Sequence, residues 1–477
     1  MPSRSVAHDR ASPLGRLDSF FQVSERGSTF GREVRGGFAT FFTMAYILVL
    51  NPIILSGATD INGDRLSVEQ LLTVTALVAA IMTALMGVTA NLPLALAAGL
   101  GINAMVAYQI APRMTWPEAM GLVVIEGIIL CVLSATGLRE AVMNAIPMGL
   151  KQAIGVGIGL FIALIGFVDA GFTTGQEMSP PLAMGGTGEL HGWPILIFCL
   201  GLLLTLALLA RRVKGAILIS IVTMTVLAVV VNAIADIGDA EWGLSVPSVP
   251  DDIVAAPDFG LLGQFSLFGA FGEISFITVV LITFTLFLTD FFDTMGTAVG
   301  VTSEAGLLDE NGRVPRLGRL LFVDGLAAVA GGAASASSNT SYVESAAGVG
   351  EGARTGFANL VTGGLFALAL FFAPLAAVVP SQAAAPALVA VGFLMMTQVG
   401  RIDWADTGLA IPAFVTIAVM PFTYSITNGI GAGFVTYVLL KVVLGRTREI
   451  TWLLWITAAL FVVYFAINPV EQLLGVE

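Results

Sequence analysis

The chain has 477 residues, of which 56% are hydrophobic and only 11% charged, with a formal net charge of -12 and a mean hydropathy of +0.91. Soluble domains carry about a quarter charged residues, so this composition excludes a soluble fold. The acidic balance argues for solvated loops and against a nucleic-acid partner, and the two cysteines, Cys131 and Cys199, support neither a disulfide framework nor a thiolate metal site.

Residues 1-33 are polar, carry Arg4, Arg10, Arg16, Arg26 and Arg32, and have no apolar core of a secretory signal, which predicts a cytoplasmic N-terminal tail. Apolar runs then predict seven spans near 34-55, 70-90, 93-112, 116-137, 147-169, 192-211 and 214-235. After a connecting segment, 236-269, with its polar part at 238-264, seven more follow near 270-300, 317-334, 342-350, 354-379, 384-400, 409-445 and 450-468. The second unit therefore covers 270-470, and 471-477 is a short C-terminal tail. Spans are predicted as helices, because Gly and Pro interrupt them and the two-residue alternation of a membrane barrel is missing. The run 409-445 exceeds one crossing and is expected to break at Pro421 and Thr427-Asn428-Gly429. Basic residues at Arg139 with Lys151, at Arg211, Arg212 and Lys214, at Arg313, Arg316 and Arg319, and at Arg354 assign those connections to the cytoplasm of a multi-pass cell-membrane protein. Acidic connections around Asp60, Asp64 and Glu69, and around Asp236, Asp239, Glu241, Asp251, Asp252 and Asp258, fall on the other side.

Each half has a short third span interrupted by Gly or Ser, LPLALAAGLGINAMVAY at 92-108 and AGGAASASSNTSYVESAAGVG at 330-350, with Asn103 and Glu344 at the breaks. Paired breaks of this kind mark transporter sites, where half-helix ends offer N-H groups to a ligand. Acids inside a membrane cost roughly 2.5 to 10 kcal/mol and persist where they face a cavity, a partner or a substrate. Asp290 and Asp293, three residues apart, share a helical face with Thr297, and their repulsion favours a proton on one of them. His8 and His191 lie outside the spans, so carboxylates carry any proton traffic. Ser341-x-x-Glu344 also reads as a capping box, in which the glutamate serves only the helix start. Glu126 and Asp324 read as structural partners, with Lys151 snorkelling or pairing with one of them, and Gly99, Gly101, Gly348 and Gly350 read as sites of bending or close helix approach. No P-loop is present, which argues against direct ATP-driven pumping.

The stretches TMAYILVLNPIIL, NLPLALAAGLGINA, SATGLREAVMNAIP, DFFDTMGT, SYVESAAGVGEGARTG and LFALALFFAPL, in that order, resemble the nucleobase-ascorbate and nucleobase-cation symporters, in particular their adenine/guanine/hypoxanthine permease branch. The resemblance implies an all-helical polytopic fold of about 14 spans in two inverted seven-span repeats, 34-235 and 270-470, divided into core and gate domains, with short strands at broken spans 3 and 10. It implies a substrate site at Asn103, Asp293, Val343, Glu344 and Ser341, and proton coupling through Asp293, Asp290 and Glu344. The sequence departs from the usual pattern at Ala98, Met105 and Ser337 to Asn339, which bears on base preference. The function implied is import of adenine, guanine and hypoxanthine by proton symport and alternating access, without a cofactor. Na+ is the alternative coupling ion, and the partners are a purine, the bilayer and a second copy of the chain. The rival readings are an anion exchanger of the same fold, and a nucleobase channel or sensor. The first would need a basic or neutral pocket at the breaks, where this chain has acids.

Overall fold

The computed structural model describes residues 13-136, 146-175, 182-185, 189-235, 237-242, 245-250, 252-310 and 313-474. Arg4, His8, Arg10, Arg139, Asp236, Asp251 and the end of the C-terminal tail lie outside the described residues.

The predicted tail is not all free chain. Helix α1 (Pro13–Phe21) is followed by a turn from which Arg26 donates to the carbonyls of Asn91 at 2.6 Å and Arg354 at 3.0 Å. Helix α2 (Phe30–Met44) begins where the Thr29 hydroxyl accepts from the Arg32 N-H, one of the orphan donors of a helix start. It stops at Ala45 and Tyr46, and α3 (Ile47–Gly57) continues the span with Pro52 inside it. Helix α4 (Val68–Thr89) leads to strand β1 (Leu96–Ala98) and the six-residue α5 (Leu100–Met105). A π turn (Val106–Ile110) and a 3-10 turn (Ala111–Arg113) complete the third span. Helices α6 (Trp116–Thr136) and α7 (Met148–Asp169) precede an unanticipated hairpin of β2 (Thr173–Gly175) and β3 (Leu182–Met184), and α8 (Trp193–Ala210) and α9 (Ala216–Ala235) close the first half.

The second half opens with α10 (Phe276–Glu304), about 43 Å long at 1.5 Å per residue. Then come α11 (Leu317–Ala333), strand β4 (Asn339–Ser341), the six-residue α12 (Ser345–Gly350), α13 (Phe357–Ala369) and α14 (Ser381–Met396). The long run predicted at 409-445 is two helices, α15 (Thr407–Phe422) and α16 (Ile426–Val443), packed along each other. The chain reverses at Thr423, Tyr424 and Ser425, two residues after Pro421 and before Thr427-Asn428-Gly429. Tyr424 takes a left-handed φ of 51°, and the Ser425 hydroxyl caps α16 by accepting from the Asn428 N-H. Helix α17 (Trp452–Leu474) ends the described chain. Among the described residues, ten helical stretches are long and apolar enough to cross a membrane, with Thr407–Phe422 and Trp452–Ala466 as shorter apolar helices.

Strands β1 and β4, from opposite halves, pair antiparallel with Leu96, Ala97 and Ala98 opposite Ser341, Thr340 and Asn339. In lipid this pairing satisfies backbone groups that an unwound span would leave bare. The helices pack in two groups. Around the strand pair, α6 lies on α11, α4 on α13, and α2 on both α12 and α13. In the other group α7 lies on α14 and α15, and α8 on α9 and α14, while α10 runs along the seam and touches both. Cross-contacts sort the loops by end. Arg26, Asn91, Arg354, Lys214 and Glu351 meet at a basic end, whereas Asp60 meets Trp116 and Gln70 meets Asp258 at the opposite, acidic end.

Candidate functional site

Glu344 sits at the start of α12 with its side chain half-buried, and Val343 beside it is 56% exposed. Its carboxylate caps nothing. Glu344 is itself the N-cap residue and makes no side-chain cap bond, and Ser341 lies in β4 with its hydroxyl donated to Asp324 at 3.0 Å. The capping box expected from Ser341-x-x-Glu344 is therefore not formed, and the glutamate is held from elsewhere. The Tyr46 hydroxyl, fully buried at the break between α2 and α3, donates to Glu344 Oε1 at 2.5 Å, and Thr43 donates to the Glu344 carbonyl at 3.3 Å. Close packing makes this bracket: a Cβ on Gly348 would lie 2.6 Å from the Gly36 carbonyl oxygen, so α2 and α12 touch through backbone. Gly350, predicted to serve the same purpose, faces open space.

Asp290 and Asp293 do not share an environment, contrary to the single face expected of them. Asp290 is fully buried and accepts from the Ser338 hydroxyl at 3.0 Å, with the same hydroxyl 3.3 Å from Glu126 Oε2. Asp293 is exposed, although it lies well inside α10, and so are Gly296, Val299 and Gly300 further along the helix toward the basic end. The exposed Asp293 and Val343 and the half-buried Glu344 thus border open space. Elsewhere, at the basic end, an open groove of about 420 Å³ runs between α4, α6 and α11, lined by Thr89, Ser134, Arg319 and Phe322 among others. We place the site by the exposed acids and not by that groove, whose lining holds no carboxylate.

Behind the broken tenth span stands a hydroxyl and carboxyl network that sequence reading saw only in part. Thr294 donates to Asp324 at 2.7 Å and lies 2.7 Å from the Thr340 hydroxyl. Glu126 and Asp324 are the structural partners expected, but of serines and threonines. Lys151 lies with its ammonium 5.2 Å from the Phe292 ring centroid. No ion pair among the described residues involves Glu126, Asp290, Asp293, Asp324 or Glu344.

Asn103 lies one turn into α5, fully buried, and neither its amide nitrogen nor its oxygen has a hydrogen-bond partner. A buried amide left unsatisfied costs about 1 to 3 kcal/mol per group, which makes this the least settled polar side chain of the third span. Asn339, opposite Ala98 in the strand pair, is likewise buried with both amide atoms unpartnered.

The two packing groups are bridged at both ends. At the acidic end the Tyr108 hydroxyl donates to Asp169 Oδ2 at 3.2 Å, the Ile426 N-H donates to Gln109 Oε1 at 2.9 Å, and the Tyr108 and Tyr424 rings meet edge to face at 6.0 Å. Gln109 stands on the π turn, a distortion frequent at functional sites. At the basic end, the bridge we find is Lys214 to Glu351, an exposed pair. Sequence reading missed Tyr108, Gln109 and Asp169, which lie near the ends of the predicted spans 93-112 and 147-169 and look like ordinary span boundaries, and Tyr46, whose partner is distant in the chain.

A family model described as a permease family matches residues 31-432. The chain belongs to this permease family. It is therefore a membrane transporter and not an enzyme. It is 39% identical over 454 residues to the guanine/hypoxanthine permease PbuG of Bacillus subtilis, covering 94% of this chain and 99% of that one. It is 37% identical over 455 residues to the adenine permease AdeP of Escherichia coli, covering 95% and 96%. Among solved structures, the transmembrane domain of the cyanobacterial bicarbonate transporter BicA matches with a TM-score of 0.60 at 15% identity, over 83% of this chain and 97% of that one. SLC26A9 matches at 0.59 and 11%, over 93% and 73%. At such identities these two share the fold alone.

Proposed function

We propose that this permease imports purine nucleobases by proton symport and alternating access. The observation that carries the reading is the open face bordered by Asp293 and Glu344, beside the paired breaks of the third and tenth spans. Purines present ring N-H donors and ring-nitrogen and carbonyl acceptors on a flat plate. Glu344 accepts an N-H, and the Asn103 amide donates and accepts at once, as Asn does toward adenine. The names of PbuG and AdeP support purines as the substrate class. Two inverted repeats, 34-235 and 270-470, account for why β1 and β4 pair antiparallel and why each is followed by a helix of six residues.

Concentrating a neutral base requires an energy source. One proton moving through 100 mV supplies about 2.3 kcal/mol. Asp293 is our choice for the coupling group, because it is exposed to the open face and has no cationic partner among the described residues. The basic end is the cytoplasmic one by the positive-inside rule, and the exposed residues of α10 run toward it. The bridges at the acidic end then close the outer path, and they must open in each cycle. An anion exchanger of this fold would place its anion against Glu344 and Asp293, where like charge repels it.

The test is uptake of labelled hypoxanthine into cells or vesicles, with adenine, guanine, xanthine, uracil and sulfate as competitors. Competition by adenine, guanine or both, and none by sulfate, is expected. Competition by sulfate alone would replace the purine reading with the anion one, and uptake that never exceeds equilibrium would make the protein a channel.

A further inference from the structure

Tyr46 is a fully buried phenol whose one hydrogen bond among the described residues goes to the carboxylate that the proposed function assigns to the base. The bond is 2.5 Å long and charge-assisted when Glu344 is ionised, the stronger class of hydrogen bond. Tyr46 sits where α2 stops and α3 begins, so its position is set by the break in the first span. That break is in turn pressed against α12 at Gly36 and Gly348 and tied to the Glu344 carbonyl by Thr43. Glu344 is thus gripped at its carboxylate by Tyr46, while the Thr43 hydroxyl, 2.9 Å from the Ala39 and Thr40 carbonyls of its own helix, lies within 3.3 Å of the Glu344 carbonyl. Tyr342, the nearby tyrosine on the tenth span itself, is already committed, donating to the Ala98 carbonyl at 2.5 Å.

We propose that Tyr46 is the positioning residue of the substrate site: it takes Oε1 of Glu344, fixes the plane of the carboxylate, and leaves Oε2 as the oxygen offered to a ligand N-H. This rests on the purine reading for the ligand's identity, but the grip on Glu344 does not. A carboxylate free to rotate on its long side chain would lose rotamer freedom each time a base bound. One already held by a phenol has lost it in advance, which is how preorganisation raises affinity. The first span thereby takes part in substrate binding without touching substrate.

The experiment is a double-mutant cycle of Tyr46→Phe and Glu344→Gln, read twice. Phenylalanine keeps the ring and deletes the hydroxyl; glutamine keeps the acceptor but removes its charge. In the first reading, melting of the ligand-free protein, the two substitutions should be non-additive, as expected for residues in contact. Additive melting shifts would show that the hydroxyl does not hold Glu344, whatever the substrate is. In the second, hypoxanthine binding by calorimetry, Tyr46→Phe should weaken binding on the order of tenfold in the parent and by about threefold or less in the Glu344→Gln background. An equal loss in both backgrounds would make Tyr46 a packing residue and overturn the proposal. If the parent binds no hypoxanthine, guanine or adenine, the purine reading fails, while the melting cycle still decides whether Tyr46 grips Glu344.

Discussion

The two broken spans are paired strand to strand yet built from opposite chemistry. The third-span break is aliphatic: Leu96, Ala97 and Ala98 supply only backbone, and Asn103 is the polar side chain that follows them. The tenth-span break is a run of serines, threonine and asparagine, entered through Ser335 and Ser337 with left-handed φ of 57° and 67° and backed by Asp290, Asp324 and Glu126. One break thus offers shape and a neutral amide, and the other offers charge held on hydroxyls. A site divided this way suits a ligand that is flat and neutral but has N-H donors along an edge.

The sharpest way to break this comparison is at the charged side. Glu344→Ala removes the acceptor and its charge, and purine binding should fall on the order of a hundredfold in calorimetry. A loss no larger than that of the amide variant below would mean that charge is not what the tenth span contributes. On the neutral side, Asn103→Ala should cost about 1 to 3 kcal/mol of binding while leaving folding and insertion intact. Asn103→Asp keeps an acceptor and loses the donor, so the order of adenine and hypoxanthine affinities should change. An unchanged order would leave Asn103 with a structural role only.

Thr294→Val tests whether the hydroxyls behind the tenth span are structural. It deletes the donor to Asp324 and the contact with Thr340, and should lower stability by about 1 to 3 kcal/mol, read as a fall in melting temperature, with hypoxanthine affinity changed much less. A larger loss of affinity than of stability would move this network into the binding site. The smallest expected effect is far from both breaks. Asp406, at the start of α15, accepts from Arg446 at 2.9 Å, and that guanidinium holds its carboxyl below the usual aspartate range. A depressed carboxyl stabilises the fold above its unfolded pKa of about 3.9, and that share is lost as pH falls through its lower folded value. Asp406→Asn should therefore match the parent's melting temperature at a pH below the lowered folded value of Asp406 and fall slightly behind it at neutral pH. A gap of the same size at both would show that the Arg446 pair does not contribute through charge.

Much of this was legible in the sequence, for identifiable reasons. Apolar runs marked the membrane-length helices, because lipid imposes that length directly. The paired breaks at 92-108 and 330-350 were visible because glycine and serine interrupt otherwise apolar stretches. What escaped were features decided by tertiary contact. Asp290 and Asp293 look alike in the chain, and only tertiary packing, with Ser338 and Glu126 beside the first, buries Asp290 and leaves Asp293 open. Ser341 and Glu344 have capping-box spacing, but pairing of β4 with β1 turned Ser341 toward Asp324. The break in 409-445 was expected between Pro421 and Thr427-Asn428-Gly429, but its exact place was not, because nothing local marks Tyr424 for a left-handed turn. Tyr46 was invisible as a site residue, since its partner lies 298 positions away.

In the mechanism we propose, purine binding and proton coupling are carried by different acids on the same open face. It is tested most directly with Asp293→Asn in proteoliposomes, measuring hypoxanthine accumulation with and without an inward proton gradient alongside equilibrium binding. The account predicts binding within about threefold of the parent and no concentration of hypoxanthine in response to the gradient. If the variant concentrates hypoxanthine as the parent does, Asp293 is not the coupling group, and the division of labour between Glu344 and Asp293 is contradicted.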